Sequence, residues 1–241
     1  MPILRTEGLT KSFGGIVAVN NVSITIEKGE MVGIIGPNGA GKTTLFNLIS
    51  GMEKPDQGRV YFNGEDVTSM KPYHLSQKGL VRTFQIVRPF KSLTVYQNLV
   101  APTTVRSAKP DHGFIDRILD TLGLSNKKNL PTNLLTHGEL KMLEVARGLA
   151  SKPILLLLDE PFGGLTVNEI ERVSTVLKEF VENKGTLVII EHRLRELMKV
   201  VGRIIVMDQG KIIFEGLPAD VPKSEEVVKA YLGSSKVFGV E

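Results

Sequence analysis

The octet Gly36-Pro37-Asn38-Gly39-Ala40-Gly41-Lys42-Thr43 fits the pattern G-x-x-x-x-G-K-[ST] at every position. Its glycines let the backbone bend until successive N–H groups face inward, and such a concave set of donors holds phosphate oxygens. Lys42 then reaches the β- and γ-phosphates of a nucleoside triphosphate. The Thr43 hydroxyl is a hard oxygen ligand of the kind Mg²⁺ accepts, and Thr44 closes the binding stretch. On one side, the apolar run Met31-Val32-Gly33-Ile34-Ile35 reads as a buried strand. On the other, Leu45, Leu48 and Ile49 recur at helical spacing, with Gly51 as C-cap. The loop therefore joins a strand to a helix whose N-terminus faces the anion.

With 241 residues, 41% of them hydrophobic and 23% charged, the chain is expected to fold as one globular domain with a subdomain excursion. It carries a single phosphate loop. No apolar run approaches the ~18 residues of a membrane span. The start, Met1-Pro2-Ile3-Leu4-Arg5-Thr6-Glu7, lacks the apolar core of a signal peptide, so a cytoplasmic protein is expected, at the inner face of any membrane it meets. With no cysteine, disulfides and thiolate metal sites are excluded. The net charge of +4 is spread out, with no basic run longer than Lys127-Lys128, and nucleic acid is not an expected partner.

Ile16 to Val19 and Val22 to Ile26 read as strands, and Gly58 to Phe62 followed by Asn63-Gly64 as a strand entering a hairpin. These would form an antiparallel layer beside the nucleotide. Between Arg88 and Ala150 strand signals vanish, and Phe114, Ile115, Ile118, Leu119 and Leu122 mark a helix face ending at Gly123. The runs Ile154 to Leu158 and Thr186 to Ile190 flank a helical stretch around Val173, Val176, Leu177 and Phe180, a parallel βαβ pattern. A hairpin over Arg203 to Gly216 and a helix over Glu225 to Leu232 end the chain.

The apolar run ending at Leu158 delivers Asp159-Glu160-Pro161, two acids at the carboxyl end of a buried strand, where α/β sheets bind ligands. This is the Walker B arrangement: Asp159 would hold Mg²⁺ through water, and Glu160 would polarise the water attacking the γ-phosphate. An Asp capping the next helix is the alternative reading.

Upstream, Leu135-Thr136-His137-Gly138-Glu139-Leu140-Lys141 precedes an amphipathic helix with Leu140, Leu143, Ala146 and Ala150 inward, and Thr136 with Glu139 makes a capping box. In place and pattern the stretch resembles the LSGGQ signature of ABC ATPases, with His137 for a glycine and Glu139 for the glutamine. Phe13 before the loop, Gln85 after the strand-like Leu80 to Phe84, and His192 after the run to Ile190 stand in the family's order. The resemblance spans nearly the whole chain. It implies a P-loop NTPase core of the ABC type with an antiparallel β subdomain over 1–87 and 151–241, and a helical subdomain over 88–150. It further implies that Phe13 stacks on adenine, that Gln85 contacts Mg²⁺ and the attacking water, and that His192 senses the γ-phosphate. Thr166, after Gly163-Gly164-Leu165, stands where the family usually has an aspartate.

In this family ATP lies between one subunit's phosphate loop and the signature helix of another, so Thr136, Gly138 and Glu139 are expected to serve a second ATPase subunit, identical or different. Permease subunits are implied as membrane partners, and through them a solute-binding protein. Val81-Arg82-Thr83-Phe84-Gln85, Gly138-Glu139, Glu191-His192 and Ala230-Tyr231-Leu232-Gly233 are most similar to the ATPase subunits of branched-chain amino acid transporters. Ile86-Val87-Arg88-Pro89-Phe90 is placed by that likeness against the permease, or else between the two subdomains. An ATPase for urea or lipopolysaccharide transport is the near alternative, and a soluble ABC ATPase acting on nucleic acid a more distant one.

Overall fold

The computed structural model describes residues 2–84, 88–106 and 109–231. Gln85, Ile86, Val87, Leu232 and Gly233, invoked above, lie outside the described residues. In chain order the strands are β1 (Leu4–Phe13), β2 (Ile16–Val22), β3 (Thr25–Ile26), β4 (Met31–Ile35), β5 (Gln57–Phe62), β6 (Glu65–Asp66), β7 (Leu80–Arg82), β8 (Leu155–Asp159), β9 (Thr186–Ile190), β10 (Arg203–Asp208) and β11 (Lys211–Gly216). The α-helices are α1 (Lys42–Ile49), α2 (Pro72–Lys78), α3 (Val95–Val100), α4 (His112–Thr121), α5 (His137–Ala150), α6 (Val167–Glu182), α7 (Leu194–Met198) and α8 (Glu225–Tyr231).

The central sheet runs β11-β10-β4-β9-β8-β7, parallel except for β11 at one edge. Every residue of β4, β8 and β9 is buried, because the sheet is covered on both faces, and this explains their unbroken apolar runs. Alternate side chains enter different cores. Leu155, Leu157, Val188 and Ile190 pack with Leu45, Phe46 and Ile49 of α1 and with Leu4, Val60 and Phe62 of the smaller sheet. Leu156, Leu158, Leu187 and Ile189 pack with Ile118 of α4, Leu143 and Ala146 of α5, and Val173 and Leu177 of α6. Each such leucine or isoleucine contributes about 1.5–3 kcal/mol of burial, and a slip of one residue would exchange the two sets.

The second sheet, β2-β1-β5-β6 with β3 paired to β1, is antiparallel. Its longest strand, β1, departs from the sequence expectation, which left that segment without structure. Thr6 points inward in place of an apolar side chain, exchanging hydrogen bonds with the Val22 carbonyl and the Ile24 N–H, and irregular pairing between Glu7 and Thr10 breaks the alternation. The strand expected over 22–26 is split, since Val22 and Thr25 both pair with β1 but in separate ladders. Strand β7 stops at Arg82, short of Phe84, and the C-cap of α1 is Ser50, with Gly51 one place beyond. Within 88–150 the described residues hold α3, α4, α5 and 3₁₀ turns, and the only extended pairing among them is the isolated bridge Thr94 to Pro131. The hairpin β10–β11 and helix α8 fall where the sequence places them.

Because β4, β8 and β9 run in one direction, their carboxyl ends bring Gly36, Asp159-Glu160 and Glu191-His192 to one edge of the sheet, the edge at which such folds bind ligands.

Candidate functional site

The loop after β4 is held by its neighbours as well as by its own sequence. Gly41, at the N-cap of α1, has φ +98°, and a Cβ there would lie 2.2 Å from the Ala18 carbonyl oxygen. A Cβ on Gly36 would lie 2.1 Å from the Met207 carbonyl oxygen. The loop is thus wedged between β2 and the β10–β11 turn, with the Gly210 N–H donating to the Ala40 carbonyl at 3.1 Å. Lys42 is buried, and its Nζ donates to the carbonyls of Gly36 at 2.7 Å and Pro37 at 2.9 Å. Burial pulls its pKa below the ordinary lysine value, while the charges of Glu160 and Asp159 oppose that pull. The loop from Asn38 to Thr44, with Ala18, Glu160 and His192, lines a cleft of about 410 Å³.

Across the cleft, His192 Nε2 stands 3.1 Å from Glu160 Oε1. Glu160 adopts φ +51° while its N–H donates to the Ile190 carbonyl at 2.9 Å, a turn that leaves β8 and aims the carboxylate at the loop. Behind the pair, the buried Glu191 carboxylate accepts the N–H groups of Phe162, His192 and Arg193. Burial raises its pKa, the hydrogen bonds oppose this, and nearby Glu160 adds to the rise.

Asp159 is buried, and its Oδ2 accepts a hydrogen bond from Arg82 Nη2 at 3.0 Å. Arg82 also donates to Asn47 Oδ1 at 2.7 Å and Ser50 Oγ at 3.1 Å, and lies beside the Phe46 and Phe84 rings. Burial lowers the Arg82 pKa and the Asp159 carboxylate counters it. The Asp159 N–H donates to Thr83 Oγ1 at 3.3 Å, and the Phe84 N–H to Glu144 Oε1 at 3.1 Å, so the chain leaving β7 is stitched to β8 and α5. Among the described residues no group of three His, Cys, Asp or Glu side chains gathers to hold a metal. The oxygen donors of Thr43 and Asp159 fit an ion that arrives with the phosphates and keeps most of its water, as Mg²⁺ does.

The remaining expected residues lie apart from this cleft. Thr136 caps α5 in the expected capping box, its Oγ1 accepting the Glu139 N–H at 3.3 Å and Glu139 Oε2 accepting the Thr136 N–H at 2.9 Å. Gly138 abuts Glu169, whose oxygen lies 2.6 Å from where a Cβ would be, and Glu169 completes a second capping box with Thr166 on α6. The N-termini of α5 and α6 are thus side by side, and Thr136, Gly138 and Glu139 do not line the cleft of their own chain. Phe13 stands 46% exposed near the tip of the β1–β2 hairpin, beside exposed Ile16, and does not line the cleft either.

Three residues that touch the site's key groups received no role from the sequence. Arg82 ends β7 and Glu191 directly follows β9, each putting a charge at the close of an apolar strand, which is the signal that marks them. Tyr231, on α8, bonds to the backbone of Gly36, and burial holds its phenol well above the ordinary pKa; nothing in its local sequence announces that contact.

The chain matches the family model described as ABC transporter over residues 19–163. It is 40% identical to the probable branched-chain amino acid transport ATP-binding protein LivG of Archaeoglobus fulgidus, covering 97% of this chain and 96% of that one. It is 36% identical to the lipopolysaccharide export system ATP-binding protein LptB of Haemophilus influenzae, covering 97% and 98%. Its fold superposes on the ADP conformation of MJ1267, an ATP-binding cassette of an ABC transporter, with a TM-score of 0.86 at 35% identity, covering 97% of this chain and all of that one.

Proposed function

This chain belongs to the ABC transporter family as an ATP-binding subunit that hydrolyses ATP, and from that premise we propose that it powers the uptake of branched-chain amino acids through a membrane permease. The observation that carries the catalytic part is the Glu160–His192 pair at 3.1 Å, facing Lys42 and Thr43 across one cleft. Lys42 exchanges the carbonyls of Gly36 and Pro37 for phosphate oxygens, and the N–H groups of the loop take the rest of the charge. Thr43, Asp159 and Gln85 would hold Mg²⁺, which would supply neutralisation of the phosphate charge. Glu160 accepts the proton of the water that attacks the γ-phosphorus as the bond to the bridging oxygen of the β-phosphate breaks and ADP leaves, and His192 keeps that carboxylate aimed. Phe13 contributes its ring to the adenine.

The helix N-terminus at Thr136, with Gly138 and Glu139, serves the nucleotide of a second ATPase subunit, identical or different. Its capped end is not part of the lining of its own cleft, which suits a contact made in trans. Residues 88–150 act as the helical subdomain, and 1–87 with 151–241 as the core. No helix among the described residues is long and apolar enough to cross a membrane. On the likeness to transporter ATP-binding proteins, the permease supplies the path and this chain works at the inner face of the membrane. A solute-binding protein is an indirect partner, and nucleic acid is none.

The test is co-purification from membranes followed by reconstitution of chain and permease in proteoliposomes. ATP-dependent accumulation of labelled leucine supports the proposal. ATPase activity stimulated by lipopolysaccharide with no leucine uptake, or by nucleic acid with no membrane partner, overturns it.

A further inference from the structure

We infer that Glu191 is a positioning residue for hydrolysis, clamping the turn that carries His192 to the turn that carries Glu160. The inference rests on the roles given above to Glu160 and His192. Glu191 is 1% exposed and follows the last residue of β9. One of its oxygens, Oε1, accepts the N–H of Phe162 at 2.6 Å, two residues beyond Glu160. The other, Oε2, accepts the N–H groups of His192 at 2.9 Å and Arg193 at 3.1 Å. Each oxygen thus addresses a different turn, through hydrogen bonds strengthened by the carboxylate charge. Arg193 adds a second tie, its Nη1 donating to the Leu165 carbonyl at 2.8 Å. The segments 160–165 and 191–193 are therefore fastened together at two points, Phe162 and Leu165, beyond the 3.1 Å contact between Glu160 and His192.

The three hydrogen bonds suit a carboxylate: its two oxygens accept, and the three groups bonded to them are backbone N–H donors. A glutamine of the same shape satisfies one turn with its oxygen and turns its NH₂ against the N–H groups of the other, so the clamp opens on one side while the bulk of the residue is kept. The position of His192 relative to Glu160 is then set by loops that no longer share a fixed anchor, and misplacement of this kind is costly when proton transfer depends on alignment.

The test is Glu191→Gln in the full chain with its permease, read by ATPase kinetics, equilibrium ATP binding and NMR of the histidine rings, of which there are four. The expected result is a kcat lower by roughly ten- to a hundredfold. ATP affinity stays within about twofold of wild type. The ring signals of His192 shift while those of His74 and His112 do not. A wild-type kcat with unmoved His192 signals overturns the inference, as does a loss confined to ATP affinity. Glu160→Gln is measured alongside: if it turns over normally, the reading of the site itself fails, whereas an inactive Glu160→Gln beside a fully active Glu191→Gln removes the positioning role alone. Should Glu191→Gln fail to fold, Glu191→Asp carries the same readouts, because its carboxylate is shorter by one methylene and cannot reach the Phe162 N–H and the His192 and Arg193 N–H groups together. A lower kcat with displaced His192 signals then supports the clamp, and a wild-type kcat with unmoved signals overturns it.

Discussion

Arg82 Nη2 meets Asp159 Oδ2 at 3.0 Å, with side chains 6% and 3% exposed, although the two residues stand 77 positions apart in the chain. Removing one partner of such a pair leaves a buried charge without compensation. Arg82→Met is expected to lower the unfolding free energy by about 3–5 kcal/mol, measured by urea denaturation. Arg82→Met with Asp159→Asn together should recover much of the loss, because the stranded carboxylate is then gone.

Glu160→Gln retains the shape of the carboxylate but cannot accept a proton. ATP binding by calorimetry should be unchanged, ATP hydrolysis should fall by roughly a hundredfold or more, and an ATP-bound dimer should accumulate on gel filtration. Normal turnover in this variant would remove Glu160 from the mechanism.

Lys42→Ala deletes the ammonium that the loop otherwise holds against the Gly36 and Pro37 carbonyls. Nucleotide affinity should drop by roughly tenfold or more, with a loss of charge-assisted contacts as the cause. Unchanged affinity by calorimetry would contradict the loop's assignment.

Glu139 is partly buried, which by itself raises its pKa, yet the Lys127 ammonium and the Thr136 N–H pull it further down, to a net value below the usual carboxylate range. A folded value below the unfolded one means that this group's stabilisation is complete above the unfolded pKa of about 4.3 and is lost as pH falls through the folded value. The difference in melting temperature between the wild type and Glu139→Gln should therefore be largest near neutrality and shrink on acidification below about pH 4. A difference that grows in acid would reverse the assignment.

Where neighbouring residues decide the structure, the sequence reads well. The loop from Gly36 to Thr43, the strands β4, β8 and β9 and the Thr136–Glu139 capping box all declare themselves through local pattern. Strand β1 did not, because the inward Thr6 and the irregular pairing after Glu7 hide its alternation. Thr166 read as a departure from a family pattern, whereas in the fold it caps α6. The least legible features are pairings across the sheet. Arg82 reaches Asp159, and Glu191 reaches Phe162, only after β7, β8 and β9 have been set side by side, so no window of sequence contains both partners.

The left-handed backbone of Glu160, at φ +51°, has an evolutionary consequence. A glutamate in that conformation is disfavoured by about 1–2 kcal/mol, and asparagine or glycine would sit there with less strain. Selection for stability alone would therefore favour replacing this glutamate, so its retention needs a reason other than stability.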